Sequence, residues 1–210
     1  MSRCDGRVPL VLSDCTGEKI TVCELGTLFP YPFLYRNCNR AEIEGFALKL
    51  STLLNGGEGF EEKLRLAASD AQLSKLYEKA MEATSKDSFN NIHPLRLAAA
   101  IVLDNGEIEC CWQLKALEYG STLDPVCQLI TIMERLTSGD VRPKYLIMVD
   151  QWGNIHAPFA QARAILVEHN YHDLNVIVTS GDGSIEVTTA GHLVPPLPGF
   201  SGSLKDTVFR

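Results

Sequence analysis

The side chains of this sequence best suited to hold a metal, act as a nucleophile or move a proton are Glu118, Cys127, His156, His169 and His172, with the adjacent pair Cys110 and Cys111. Cys127 falls in the first turn of a helix that opens at Asp124-Pro125, where the positive end of the helix dipole favours a thiolate. Two readings of it stay open: a residual metal or redox thiol, or a small apolar residue in a core. His156 stands just before a second helix start, Ala157-Pro158-Phe159-Ala160-Gln161-Ala162-Arg163, and would approach Cys127 if the two helix starts face each other. That makes Cys127 and His156 weak candidates for a metal, while Phe159 and Ala162 offer no ligand atom. His169 and His172 have the i, i+3 spacing of a helical metal pair, yet they sit with Asn170 and Asp173 at a helix end, which a solvated C-terminus explains. Cys110 and Cys111 are neighbours in a strand and point to opposite faces, so they pack rather than chelate together.

Several elements must position these groups. Residues 8 to 34 read as strand, turn, strand and a proline-rich exit, with Ser13-Asp14-Cys15-Thr16-Gly17 as the turn. Ile43, Phe46, Ala47 and Leu50 recur at helical spacing between Ala41 and Leu54, and Asn55-Gly56-Gly57 supplies a stop. A second helical pattern runs from Phe60 to Ala83, with Ser69-Asp70 as a break. Strands are expected over Leu95 to Leu103 and Ile108 to Trp112, around the hairpin signal Asp104-Asn105-Gly106. Asp124 caps the next helix, Pro125 takes its first position, and Val126, Leu129, Ile130, Met133 and Leu136 line one face. Tyr145 to Val149 is a buried strand. A Pro-led helix follows from Pro158 to about His169, and Leu174 to Val178 and Ile185 to Val187 are strands around Gly181-Asp182-Gly183. Strands alternating with helices imply a layered α/β fold.

Residues Val8 to Phe33 and Val176 to Phe200 share an order: apolar strand, Ser/Asp/Gly turn, β-branched strand, then a Leu-Phe-Pro or Leu-Val-Pro exit. This is either one supersecondary unit used twice or two unrelated hairpins of like composition.

With 210 residues and 45% apolar composition the chain can bury one sizeable core, alone or with an appendage. A formal charge of −7 without a run of Lys or Arg disfavours a phosphate backbone as partner. No stretch reaches the roughly 20 apolar residues of a membrane span, and the first residues lack the apolar region of a secretory signal. Seven cysteines form no paired framework, so free thiols in a reducing cytoplasm are expected.

The two helix starts carry a specific resemblance. Zinc-dependent deamination of a nucleobase takes three ligands, a water on the open position and a carboxylate to shuttle protons. Cytidine deaminases place a Cys or His followed by Ala-Glu at one helix start and Pro-Cys-x-x-Cys at the next. Here the first reads Cys127-Gln128-Leu129, with Leu129 where the glutamate would stand. The second keeps Pro158 and Arg163 but has Phe159 and Ala162 where both thiolates would be. Glu118 lies nine residues before Cys127, as the ribose-binding glutamate of that family does, although Ala116 replaces its asparagine partner. Two roles stay open for Glu118: it holds a ribose hydroxyl, or it is a surface or interfacial acid. The two helix motifs are 32 residues apart, as in the family, and Leu193 to Leu204 resembles its closing segment.

The resemblance implies a three-layer α/β/α sandwich with a mixed central sheet over residues 60–210. Residues 1–59 would then be a remnant of a preceding deaminase repeat, or its connector. It also implies a silent site with no cofactor, and a role as a structural or oligomerisation subunit. The expected partners are further copies of the chain or a catalytic cytidine deaminase chain, with a pyrimidine nucleoside as a possible ligand. The alternative is an active cytidine deaminase that uses a rearranged zinc site or completes a partner's site.

Overall fold

The computed structural model describes residues 7, 9–13, 17–28, 30–31, 33–35, 38–55, 72–118, 121–136, 141–180 and 183–194. Two units are distinguished by their internal contacts: one holds an N-terminal hairpin, the other spans Tyr31–Leu193. The expected boundary at 59/60 lies outside the described residues, as do Gly56, Gly57, Ser69 and Asp70, the 60–71 part of the second helical pattern, and Pro195 to Leu204.

In the first unit β1 (Pro9–Ser13) pairs antiparallel with β2 (Ile20–Glu24), and one helical turn, α1 (Leu25–Leu28), follows directly. Gly17 lies in the turn with φ 75°, a conformation that costs glycine little.

The second unit is built on β3 (Leu97–Leu103), whose seven side chains are all buried. Such an unbroken apolar run marks a strand covered on both faces. Alternation sends Ala99, Ile101 and Leu103 to one face and Ala100 and Val102 to the other, into separate core clusters. β3 pairs antiparallel with β4 (Ile108–Trp112) on one side and β5 (Pro143–Asp150) on the other. β5 pairs in parallel with β7 (Asn175–Thr179), and β7 antiparallel with β8 (Ile185–Thr189). The order is β4-β3-β5-β7-β8, and the short β6 (Ile155–His156) folds back on the end of β5. This sheet is mixed, as expected. Gly106, at φ 87°, makes the β3–β4 turn foreseen from Asn105-Gly106.

Helices cover both faces. α3 (Gln72–Thr84) sets Leu73, Leu76 and Ala80 on Ala100 and Val102. On the opposite face α4 (Pro125–Leu136) and α5 (Ala160–Glu168) lie together, with Val126, Leu129, Met133, Ala162 and Leu166 packed on Ala99 and Ile101. The result is a three-layer α/β/α sandwich. Cys110 joins the α3 side and Cys111 the α4 side, the opposite orientation expected of strand neighbours. α2 (Ile43–Asn55) places Ile43 and Ala47 in a third cluster with Tyr35, Leu95 and Leu97.

One boundary differs from expectation. α5 begins at Ala160, and Phe159 is its N-cap in an extended conformation, so Pro158 lies outside the helix. The Pro158 carbonyl is held by Arg163 Nε at 2.6 Å, which draws it away from the helical path.

Candidate functional site

The turn after β5 gathers a buried, closely connected polar group. Asp150 closes it: its Oδ1 accepts the Trp152 N–H at 2.8 Å and the Asn154 N–H at 3.1 Å. Gly153, at φ 88°, sits where a Cβ would meet the Tyr77 hydroxyl at 2.5 Å, so this turn requires glycine. The other oxygen, Oδ2, faces inward. His156 Nε2 donates to it at 2.8 Å, the Tyr35 hydroxyl donates to it, and Asn154 Nδ2 approaches at 3.3 Å. Asn154 Nδ2 also reaches the Tyr35 hydroxyl at 2.8 Å and the Ala47 carbonyl at 3.3 Å, tying α2 to the turn. Asp150, Asn154 and His156 are fully buried.

Burial by itself raises the pKa of Asp150. The hydrogen bond and charge of His156, with the hydrogen bonds from the Tyr35 hydroxyl and the Asn154 N–H, outweigh it, and the net shift is downward. Tyr35 is pushed far up, by burial first and by Asp150 second. A carboxylate and a phenol thus share a proton-donor network closed to solvent, an arrangement that fixes geometry.

Aromatic rings close this group off. Phe33 stacks on the His156 ring with centroids 5.1 Å apart, and meets Phe159 at 5.3 Å and Tyr35 at 5.5 Å. The segment that delivers Phe33 is held by Arg163, whose buried guanidinium donates to the carbonyls of Tyr31 at 2.7 Å, Pro158 at 2.6 Å and Leu193 at 3.3 Å. Three carbonyls from separate parts of the unit thereby find a donor.

On the far side of Phe33, Tyr35 and Phe159 is a cavity of about 360 Å³, apolar over Ile43, Leu95 and Leu97 and polar at His93, Gln113 and Lys115. His93 Nδ1 accepts the Leu95 N–H at 3.2 Å. Burial, then Arg40 and Lys115, lower the His93 pKa, so the ring is neutral near pH 7 with its proton on Nε2. Lys115 Nζ is engaged with Asp87 at 2.7 Å and the His93 carbonyl at 2.7 Å.

No protein-family model and no curated protein matches the chain. Solved structures do. The crystal structure of cytidine deaminase from Mycobacterium leprae aligns with a TM-score of 0.48 and 22% identity, over 60% of this chain and 100% of that one. The enzyme from Mycobacterium tuberculosis aligns with a TM-score of 0.48 and 21% identity, over 64% and 100%. That from Burkholderia pseudomallei gives 0.46 and 23%, over 60% and 96%. The chain is similar in structure to bacterial cytidine deaminases.

The residues singled out in the sequence are placed as follows. Cys127 is in the first turn of α4, where its N–H and that of Val126 bond to the Asp124 carboxylate at 2.9 and 2.7 Å, the cap expected of Asp124. Its side chain packs against the same cluster as Leu129, Phe159 and Ala162. Leu129 and Ala162 are fully buried there. Ala116 lines the cavity wall, whereas Glu118 is exposed and is not among its lining residues. His156 is engaged by Asp150. His169 contacts Glu134 at 3.2 Å and His172 contacts Asp173 at 3.2 Å, each separately at the surface. Among the described residues no three His, Cys, Asp or Glu side chains converge in a way that would hold a metal.

Burial raises the Cys127 thiol to about 11, with Asp124 adding to it, so the helix dipole is outweighed. Roughly one thiol in ten thousand is then ionised at pH 7. Iodoacetamide is expected to label Cys127 about two orders of magnitude more slowly than a free cysteine, followed at that peptide by mass spectrometry. Labelling at the free rate would show the thiolate to be stabilised after all.

Asp150, Tyr35, Asn154 and Phe33 build this network and have no motif that announces them. The available signal was Asp150-Gln151-Trp152-Gly153-Asn154, an Asp closing a glycine turn at a strand end.

Proposed function

We propose that this chain is a catalytically silent cytidine-deaminase-like protein that serves as a structural or oligomerisation subunit. The observation that carries the reading is the apolar cluster that joins both helix starts. Leu129, at the position of the family's acid/base glutamate, and Ala162, at the position of a zinc thiolate, are fully buried in it beside Phe159 and Cys127. Loss of an acid/base carboxylate alone costs about 10² to 10⁴ in rate, and each lost ligand removes much of the affinity for zinc. The retained Arg163 supports the same reading, because its guanidinium holds backbone carbonyls and so serves packing.

The test is the zinc-to-protein ratio of the purified chain after dialysis without chelator, read by elemental mass spectrometry. A ratio near zero is expected. About one zinc per chain would overturn the silent reading and direct mutagenesis to Cys127 and His156.

The cavity favours a second reading, in which the chain binds a pyrimidine nucleoside without turnover or completes the site of a catalytic cytidine deaminase chain. Its volume lies in the range of small-molecule pockets, and Ala116 and Phe159 border it. Titration with cytidine and uridine separates the two readings. Heat of binding below millimolar ligand supports the second, and silence there leaves the structural role.

A further inference from the structure

The cavity of about 360 Å³ keeps its polar groups together. Lys115 Nζ lies 2.7 Å from the His93 carbonyl, and the Ala116 N–H bonds to Thr122 Oγ1 at 3.2 Å, so His93 and the segment that follows β4 form one wall. The rest is apolar. Ile43, Leu95 and Leu97 belong to the third core cluster, and Phe33 and Phe159 pack beside them.

The groups on the polar wall differ in what they have left for a ligand. Lys115 is engaged by Asp87 and the His93 carbonyl. His93 has given Nδ1 to the Leu95 N–H, so its Nε2–H remains, and that donor has no acceptor among the described residues. Gln113 uses its backbone N–H on Leu97 O at 2.8 Å, while its carboxamide has no partner among the described residues. Both tips are accessible rather than sealed in protein. Thr122 Oγ1 accepts from Ala116 and keeps its own proton. Donors therefore exceed acceptors on this wall, and no carboxylate stands among the described lining residues.

The charge near the wall has a matching sign. The exposed Arg40 guanidinium lies 3.4 Å from the Asn91 carbonyl, two residues before His93, and no carboxylate pairs with it among the described residues. At the His93 ring, burial first and then Arg40 and Lys115 disfavour positive charge, and Asp87 opposes them with the smallest effect. The field that disfavours a cation there favours an anion.

We infer that this cavity is a binding site for a small amphipathic carboxylate, its apolar body on Leu95, Leu97 and Phe159 and its carboxylate on His93 Nε2–H and the Gln113 carboxamide. The inference goes beyond the nucleoside reading and does not rest on it: a nucleoside carries polar groups at both ends, whereas one wall here supplies the hydrogen bonds. A buried carboxylate is costly unless donors meet it, and two or three N–H and O–H groups suffice to hold one ionised. His93, Gln113 and Thr122 supply that number, in a cavity whose size and mostly apolar lining suit a small molecule.

The probe is cinnamate, titrated against the whole chain by calorimetry near pH 7 at low salt, with cinnamamide as its neutral counterpart and acetate as a head without a body. Cinnamate is expected to saturate below about 1 mM, cinnamamide to bind at least about tenfold more weakly, and acetate not to saturate by about 10 mM. His93→Asn keeps an acceptor for the Leu95 N–H and removes Nε2–H, and is expected to weaken cinnamate about tenfold; Gln113→Leu is expected to weaken it at least about threefold. Should these variants fail to fold, Arg40→Gln, at an exposed side chain, reads the charge: cinnamate is expected to lose about threefold while cinnamamide stays within about twofold. Five results would overturn the inference: no saturation by about 10 mM cinnamate, cinnamamide binding as tightly as cinnamate, acetate binding as tightly as cinnamate, parental affinity for cinnamate in either folded wall variant, or equal effects of Arg40→Gln on cinnamate and cinnamamide.

Discussion

Asp150→Ala is expected to lower the folding free energy by about 3–5 kcal/mol, as a drop in the urea midpoint without a change of slope. The carboxylate satisfies two backbone N–H groups of its own turn, at 2.8 and 3.1 Å, and three side-chain donors from Tyr35, Asn154 and His156. Alanine takes this acceptor from the two backbone N–H groups, the Tyr35 hydroxyl and His156 Nε2, while Asn154 Nδ2 keeps the Tyr35 hydroxyl and the Ala47 carbonyl, and each orphaned buried donor costs about 1–3 kcal/mol before relaxation. Asp150→Asn keeps one acceptor oxygen and is expected to fall between alanine and the parent chain. A substitution that costs less than about 1 kcal/mol would show that water enters the network and that the turn does not depend on it.

The same group gives the stability a pH dependence with a definite sign. The folded pKa of Asp150 is below its ordinary value, so the unfolded state binds the proton more readily. The stabilisation is full above the unfolded value of about 3.9 and fades as pH falls through the folded one. In Asp150→Asn that part of the acid limb should flatten, and the difference from the parent chain should shrink as pH drops below about 4. A difference constant from pH 7 to pH 2 would place the charge of Asp150 outside the folding equilibrium.

The elements and the network differ in how far the sequence declared them. β3 was legible because its seven apolar residues admit one setting, a strand covered on both faces. α4 was legible because Asp124 as cap and Pro125 as first helical residue mark the same helix start, and the Asp124 hydrogen bonds follow. The start of α5 was misjudged by two residues, since Pro158 satisfies the local rule for a first helical residue while Arg163, through the fold, claims its carbonyl. The apolar character of the two helix starts, with Leu129, Phe159 and Ala162, could be read from residue types alone. His156 illustrates the limit: its position before α5 pointed toward Cys127, yet its partner is Asp150, six residues back across the β5–β6 turn, with Phe33 over its ring. Nothing local in the sequence brings Tyr35 or Phe33, more than a hundred residues away, to that turn.

A second large effect is expected at Lys115. Its ammonium and the Asp87 carboxylate are 2.7 Å apart with side chains 2% and 0% exposed, and it also donates to the His93 carbonyl. Lys115→Met removes one partner and leaves a buried charge on Asp87, with an expected loss of about 3–5 kcal/mol. The methionine stem fills much the same volume, so the loss measures the stranded carboxylate rather than a void. Asp87→Leu combined with Lys115→Met removes both charges, and the double variant is expected to recover to within about 1 kcal/mol of the parent, because desolvation of the pair offsets most of its attraction. The cycle also bears on the cavity, since Lys115 lines it. A lysine already engaged by Asp87 and a backbone carbonyl has little charge to offer a ligand, so the double variant should leave any nucleoside affinity within a few fold. If affinity instead collapses while stability recovers, Lys115 is the ligand's own contact, and the binding reading of the cavity gains over the structural one.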